Sequence, residues 1–192
     1  MIGNDIVDLH FAKTESPWRR PGFLEKVFTQ HERECIESST DPNALVWRFW
    51  SMKESAYKAY QRTLQARFFN PRRLSCSLAN EQEGMVRVGL KKYKTITTTT
   101  DKFVYTIALS EEIGSFDTNY FLLNDASYQT QHREIYRKVH QKMAELFGIP
   151  QAEIAIKKSN TGIPGLFVKN NPLESYLTIT HHGHYAAYAL SN

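Results

Sequence analysis

The sequence predicts an α+β fold of two lobes, each a small antiparallel sheet packed with helices. Three observations predict it. Leu45, Phe49, Met52 and Ala56 recur at helical spacing between Asp41 and about Tyr60. Short segments with strand-like patterning follow one another from Leu74 to Leu109, as in an antiparallel meander. Ile107-Ala108-Leu109-Ser110 and Tyr188-Ala189-Leu190-Ser191 end the two halves alike, which fits a duplicated unit. The lobes are placed at residues 1–115 and 116–192, as one compact two-lobed unit.

Ile2 to Leu9 opens the first lobe as a strand, interrupted by Asp5 and Asp8. Pro17 and Pro21 bracket a loop holding Trp18, Arg19 and Arg20. A helix over Phe23–Phe28 precedes one starting near Thr29, where Glu32 three residues on makes a capping box. Asp41-Pro42 reads as the start of the next helix, with Asp as cap and Pro in the first turn. At about 100° per residue, Trp47, Trp50, Ser51, Glu54 and Lys58 lie opposite its apolar stripe. Two tryptophans on that side predict a shielded crevice around Glu54 and Lys58 rather than an exposed ion pair. Strands follow at Leu74–Leu78, Met85–Val88, Tyr93–Thr100 (expected at an edge) and Phe103–Leu109.

Ile113 to Asp125 reads as a connector. A helix carrying Ile135, Val139, Met143 and Leu146 begins near Ser127 and closes at Gly148 and Pro150. Ile154 and Ile156 begin a strand, residues 161–165 a turn, and Leu177 and Ile179 lead to His181-His182-Gly183-His184 and a last strand.

Composition narrows the class. The chain has 192 residues, 41% of them hydrophobic, and two cysteines, which argues against disorder and against a disulfide scaffold. Met1 to Asp5 shows no basic segment leading into an apolar run, and no apolar stretch approaches the ~20 residues of a membrane span. The expectation is a cytoplasmic protein without membrane or nucleic-acid partners. A net charge of +4 suits an anionic ligand or an acidic protein partner.

Three polar groups could carry chemistry. Asp5 and Asp8 on an apolar strand could ligate a hard cation. Glu54 and Lys58, on one shielded face, could hold a metal and a phosphate together. The His181–His184 cluster matches no strong zinc motif and reads as turn histidines meeting a phosphate or a neighbouring loop. A Mg²⁺ ion on a pyrophosphate needs only one or two protein carboxylates, which the first two groups supply.

At these residues the chain resembles a known family. Gly3-Asn4-Asp5-Ile6-Val7-Asp8-Leu9 and Trp50-Ser51-Met52-Lys53-Glu54-Ser55-Ala56-Tyr57-Lys58 are similar to the two signature motifs of the 4′-phosphopantetheinyl transferases. Phe28-Thr29-Gln30-His31-Glu32 resembles a segment of the holo-acyl-carrier-protein synthase branch. Gly162-Ile163-Pro164 and Thr178-Ile179-Thr180-His181-His182-Gly183 resemble the G-K-P and S-x-S-H-S-G motifs, and Arg133 matches a family arginine near the coenzyme. The motif order is that of the carrier-protein-synthase branch, while the length is near that of the two-lobed enzymes. The resemblance therefore implies a pseudo-twofold monomer with its lobes in swapped order.

The resemblance implies Mg²⁺-dependent transfer of 4′-phosphopantetheine from coenzyme A to a serine of an apo acyl or peptidyl carrier protein, as in fatty-acid biosynthesis, with release of 3′,5′-ADP. It implies Asp5 and Glu54 as metal ligands, Glu54 as general base and Lys58 on the leaving phosphate. It places His181, Thr180, Arg133 and Gly162 against the coenzyme. Arg19, Arg20 and Lys26 are candidates to meet the acidic carrier. Three departures stand out. Val7 replaces a second metal carboxylate of the two-lobed branch, where Asp8 could contribute. Ile163 replaces the lysine of G-K-P, where Lys157 or Lys158 could compensate. His182 replaces a serine. They motivate a second reading, a catalytically silent member that binds coenzyme A or a carrier protein. A third reading is a zinc hydrolase built on His181, His182 and His184.

Overall fold

The computed structural model describes residues 1–64 and 69–191; residues 65–68 and Asn192, all assigned above to one lobe or the other, lie outside the described residues. Strand β1 (Ile2–Asp8) leads into helix α1 (Leu9–Glu15), capped by the Asp8 carboxylate on the amides of His10 and Phe11. Helix α2 (Phe23–Val27) and helix α3 (Gln30–Glu37) follow, the latter opening on the expected capping box of Thr29 and Glu32. Helix α4 (Pro42–Leu64) runs one turn further than its apolar stripe suggested. The meander is β2 (Leu74–Leu78), β3 (Glu83–Val88), β4 (Lys91–Thr99) and β5 (Phe103–Leu109). It forms one five-stranded antiparallel sheet, ordered β1-β5-β4-β3-β2, with α4 laid across it.

Two expectations fail here. Strand β4 is not an edge strand but lies between β3 and β5. Two of its threonines, Thr95 and Thr97, face inward and are buried, and the Thr97 hydroxyl lies 3.1 Å from that of Thr106. The connector contains a strand, β6 (Phe116–Leu122), whose polar Asp117-Thr118-Asn119 centre sits on an exposed sheet edge.

Helix α5 (Tyr128–Phe147) is capped by Ser127 and stopped by Gly148, as expected. Strand β7 (Ile154–Lys158) pairs with β8 (Pro164–Val168), and β8 with the short β9 (Asn171–Pro172). Strand β10 (Leu177–His182) and strand β11 (Tyr185–Ser191) form a second antiparallel sheet with β6, ordered β10-β11-β6.

The resemblance between the two strand ends has a structural counterpart. Ser110, just after β5, donates its amide to the carbonyl of Met1 at 2.9 Å and accepts from the Met1 ammonium on its hydroxyl. Ser191, closing β11, donates its amide to Tyr176 at 3.0 Å and accepts the Tyr176 amide on its hydroxyl at 3.0 Å. The same serine clasp thus fixes the residue before β1 and the residue before β10. On that register Asp5 corresponds to Thr180.

Strand β1, at the edge of the first sheet, is buried along its whole length between α4 and the second sheet. Its period of two points Ile2 and Ile6 at the second sheet, where they pack with Phe103, Tyr105, Ile107, Ala187 and Ala189. The alternate face meets α4 so closely that a Cβ on Gly3 would lie 2.0 Å from the Ser55 carbonyl oxygen. That approach brings the polar side of α4 within reach of Asp5.

Candidate active site

Asp5, Glu54, Lys58, Thr180 and His181 converge where β1, α4 and β10 meet. The Ser51 hydroxyl donates to the Asp5 carbonyl at 3.2 Å and sets the helix against the strand. Two turns on, Lys58 Nζ donates to the Asn4 carbonyl at 2.9 Å and to Asp5 Oδ1 at 3.2 Å. From the other side, the Thr180 hydroxyl donates to the same Oδ1 at 3.1 Å. Asp5 Oδ2 is buried and has no hydrogen-bond partner.

Glu54 faces the same space. Its carboxyl is pushed up to about 7, first by burial and then by the Asp5 charge, with Lys58 opposing. Two carboxylates crowded out of water, one with an orphaned oxygen, fit a hard divalent cation whose remaining ligands are substrate oxygens and water. Among the described residues no group of three or more His, Cys, Asp or Glu side chains could hold a metal by itself.

Asp5 and His181 border two adjoining hollows. One, of about 320 Å³, is lined by Glu54, Trp47, Trp50, Phe23 and Arg20. It sets Glu54 beside the tryptophans, whereas Lys58, expected in the same crevice, lines the other hollow. The other, of about 360 Å³, is lined by Lys58, Gln61 and Arg62 of α4, by Lys158 and Thr161–Pro164, and by Tyr128, His132 and Tyr136 of α5. His132 stacks on Tyr136 with ring centres 4.0 Å apart, and Tyr128 lies edge-on to His181. The His181 imidazole is held below its ordinary value, first by burial and then by Lys58, Lys158, His132 and His182. Cations therefore converge on this hollow, and among the described residues Asp5 is the one carboxylate lining it.

Gly162 lines the second hollow, and its amide closes the turn onto Ser159 at 2.8 Å. Arg133 does not reach it. The period of α5 turns Tyr128, His132 and Tyr136 inward, so Arg133 is exposed and pairs with Glu134 at 3.2 Å. Asp8 is not available to a cation beside Asp5: Oδ1 caps α1 and Oδ2 accepts the His184 amide at 2.9 Å. His182 Nδ1 accepts the Asp8 amide at 3.0 Å, so two histidines of the cluster tie the lobes together. Gly183 completes the tie, because a Cβ there would lie 2.4 Å from Asp8 Oδ2. Lys157 turns over the Phe167 ring, whereas Lys158 enters the hollow. Lys53, central in the second motif, points away from the site into a buried pair with Glu32 at 2.8 Å.

Arg62 and the α5 aromatic face were not among the expected site residues. Arg62 was legible as the next i+4 step after Glu54 and Lys58, and the α5 face as Tyr128, His132 and Tyr136 at a spacing of four.

A family model described as the 4′-phosphopantetheinyl transferase superfamily matches residues 1–110. Among solved structures, the Helicobacter pylori holo-[acyl-carrier-protein] synthase in complex with coenzyme A is similar at a TM-score of 0.44 and 16% identity, covering 58% of this chain and 100% of its own. The Thermotoga maritima holo-[acyl-carrier-protein] synthase gives a TM-score of 0.43 and 13% identity over 89% of this chain and 83% of its own. No curated protein sequence matches the chain.

Proposed function

The chain belongs to the 4′-phosphopantetheinyl transferase superfamily, and on that premise we propose that it transfers 4′-phosphopantetheine from coenzyme A to a serine of an apo carrier protein, releasing 3′,5′-ADP. The observation that carries the proposal is the meeting of Asp5, Glu54 and Lys58 with Thr180 and His181 between a cationic hollow and an aromatic one. In this reading the cationic hollow takes the nucleotide end of the coenzyme, with the Tyr128, His132 and Tyr136 wall available to stack on a base. The hollow between Trp47, Trp50 and Glu54 takes the reacting end.

Asp5 and Glu54 would hold Mg²⁺, which when bound neutralises the diphosphate and so favours attack on phosphorus. Each residue then has a task it performs itself. Glu54, with its carboxyl near neutrality, accepts the serine proton directly or across one water. Lys58 is fixed by the Asn4 carbonyl, so its ammonium stands ready for the leaving phosphate without reorganising. Thr180 holds the Asp5 carboxylate in orientation and leaves Oδ2 free for the ion. Trp47, Trp50 and Phe23 keep water from the reacting atoms. Arg20 on the rim and Arg19 beside it offer cations to an acidic carrier helix. The protein acts as a monomer, since one chain supplies residues from both halves of the site.

One observation favours the silent-member reading: Ile163 puts an aliphatic side chain into the cationic hollow. Intact-mass spectrometry of an apo acyl carrier protein, incubated with the protein, coenzyme A and Mg²⁺, separates the two. A phosphopantetheine mass gain that EDTA prevents is expected. No gain on acyl or peptidyl carriers, with coenzyme A still bound, would favour the silent member.

A further inference from the structure

Strands β1 and β10 pack together but belong to different sheets, so among the described residues no backbone ladder joins them. Side chains on one face of β10 join them instead. The Thr178 hydroxyl donates to Asn4 Oδ1 at 2.9 Å, and the Thr180 hydroxyl to Asp5 Oδ1 at 3.1 Å. Next on that face, His182 Nδ1 accepts the Asp8 amide at 3.0 Å. The last side chain of this seam is the histidine that replaces a serine of the S-x-S-H-S-G pattern.

Asp8 is tied in three ways at this corner. Its Oδ1 caps α1, and its Oδ2 accepts the His184 amide at 2.9 Å. Both of those bonds use backbone donors. The bond to His182 is the one of the three that needs a particular partner side chain, and it needs that side chain neutral. An imidazole that accepts at Nδ1 carries its single proton on Nε2, and an imidazolium only donates. Phe11 of α1 stands edge-on to the ring, with centres 5.9 Å apart. The same ring borders the hollow that contains Glu54 and the tryptophans, and it does not line the cationic hollow. From β1 and α1 its charged or titratable neighbours are Asp8 and His10; from its own hairpin they are His181, His184 and Tyr185. Across the hollow stand Asp5, Glu54 and Arg20.

We propose that His182 is a positioning residue for the transfer: in its neutral form it holds the end of β1 against β10, and so fixes the strand that carries Asp5 along one side of the reacting hollow. The proposal rests on reading that hollow as the reacting end, and its first test needs no turnover. Hydrogen exchange at the Asp8 amide is followed by NMR in EDTA, in the full chain as wild type, His182→Asn and His182→Gln, each verified as folded. The Asn side-chain oxygen falls near the place of Nδ1, whereas that of Gln falls near Nε2. Protection of Asp8 should drop roughly tenfold in His182→Gln, the loss of one hydrogen bond, and return in His182→Asn. In wild type it should also drop as the pH is lowered from about 7.5 to about 5.5, and in His182→Asn it should hold. Glu54 titrates in both proteins, so the difference belongs to the imidazole. In the carrier assay His182→Gln should lower kcat roughly tenfold with the coenzyme A KM within about twofold, and His182→Asn should recover the rate. Equal Asp8 protection in all three proteins, a wild-type protection indifferent to pH, or a raised KM with kcat unchanged would overturn the proposal. Asp8 protection that depends on His182 in a protein that modifies no carrier would overturn the transfer reading and support the placing of β1 by His182.

Discussion

Glu54 is held in two ways that pull against each other. Burial and the Asp5 charge favour its protonated form, and the task proposed for it requires the charged one. With the carboxyl raised from about 4.5 to about 7, the folded chain binds this proton more tightly than the unfolded chain does. The resulting stability is complete below about pH 4.5 and is lost as the pH rises through about 7. Metal-free wild type should therefore lose on the order of 2 kcal/mol more stability between pH 5 and pH 8 than Glu54→Gln does. Urea unfolding of both in EDTA measures this, and parallel pH profiles would contradict it. Adding Mg²⁺ at pH 8 should restore the wild type and leave Glu54→Gln unchanged, because only the former binds the ion tightly. Lys53 makes the contrasting case. Its ammonium and Glu32 are wholly buried, and Glu32 also receives the Cys76 amide at 2.6 Å. Lys53→Met strands that carboxylate and should cost about 3–5 kcal/mol in urea unfolding, while leaving the activity of the folded fraction. A loss below about 1 kcal/mol would show that the pair is not structural.

Elements place these residues, and β1 against α4 is the decisive pair. Gly3→Ala sets a Cβ against the helix backbone at Ser55 and Ala59, with no flexible side chain to yield. The substitution should cost more than about 3 kcal/mol or prevent folding, read as loss of the cooperative transition in circular dichroism. A wild-type transition would mean that the strand and helix have room to part. Legibility in the sequence follows how local the cause is. The α3 capping box needs only Thr29 and Glu32, and the apolar stripe of α4 needs only its own period, so both were readable. The inward threonines of β4 and the polar strand β6 depend on partners distant in sequence, so both were misread. Arg133 was placed by motif position, and the phase of α5 decided otherwise. Asp8 looked like a ligand because nothing in its neighbourhood reveals that His184 would claim Oδ2.

At the scale of the molecule, the two sheets share one interface through Ile2, Ile6, Phe103, Tyr105, Ile107, Ala187 and Ala189. Side chains from both halves meet within it, Asn4 with Thr178 at 2.9 Å and Asp5 with Thr180. The halves should therefore unfold together. All three tryptophans lie before residue 51, so their fluorescence reports the first half while circular dichroism reports both. Coincident urea transitions are expected, and a fluorescence transition separated from the dichroism would mean independent lobes. If one chain builds the whole site through this interface, as proposed, sedimentation should find a monomer. The site itself is tested most directly by intact-mass spectrometry of an apo carrier protein treated side by side with wild type, Asp5→Asn and Glu54→Gln, each verified as folded. A phosphopantetheine gain with wild type and its loss with both variants is the predicted result; substantial transfer by both variants would contradict the assignment of Asp5 and Glu54.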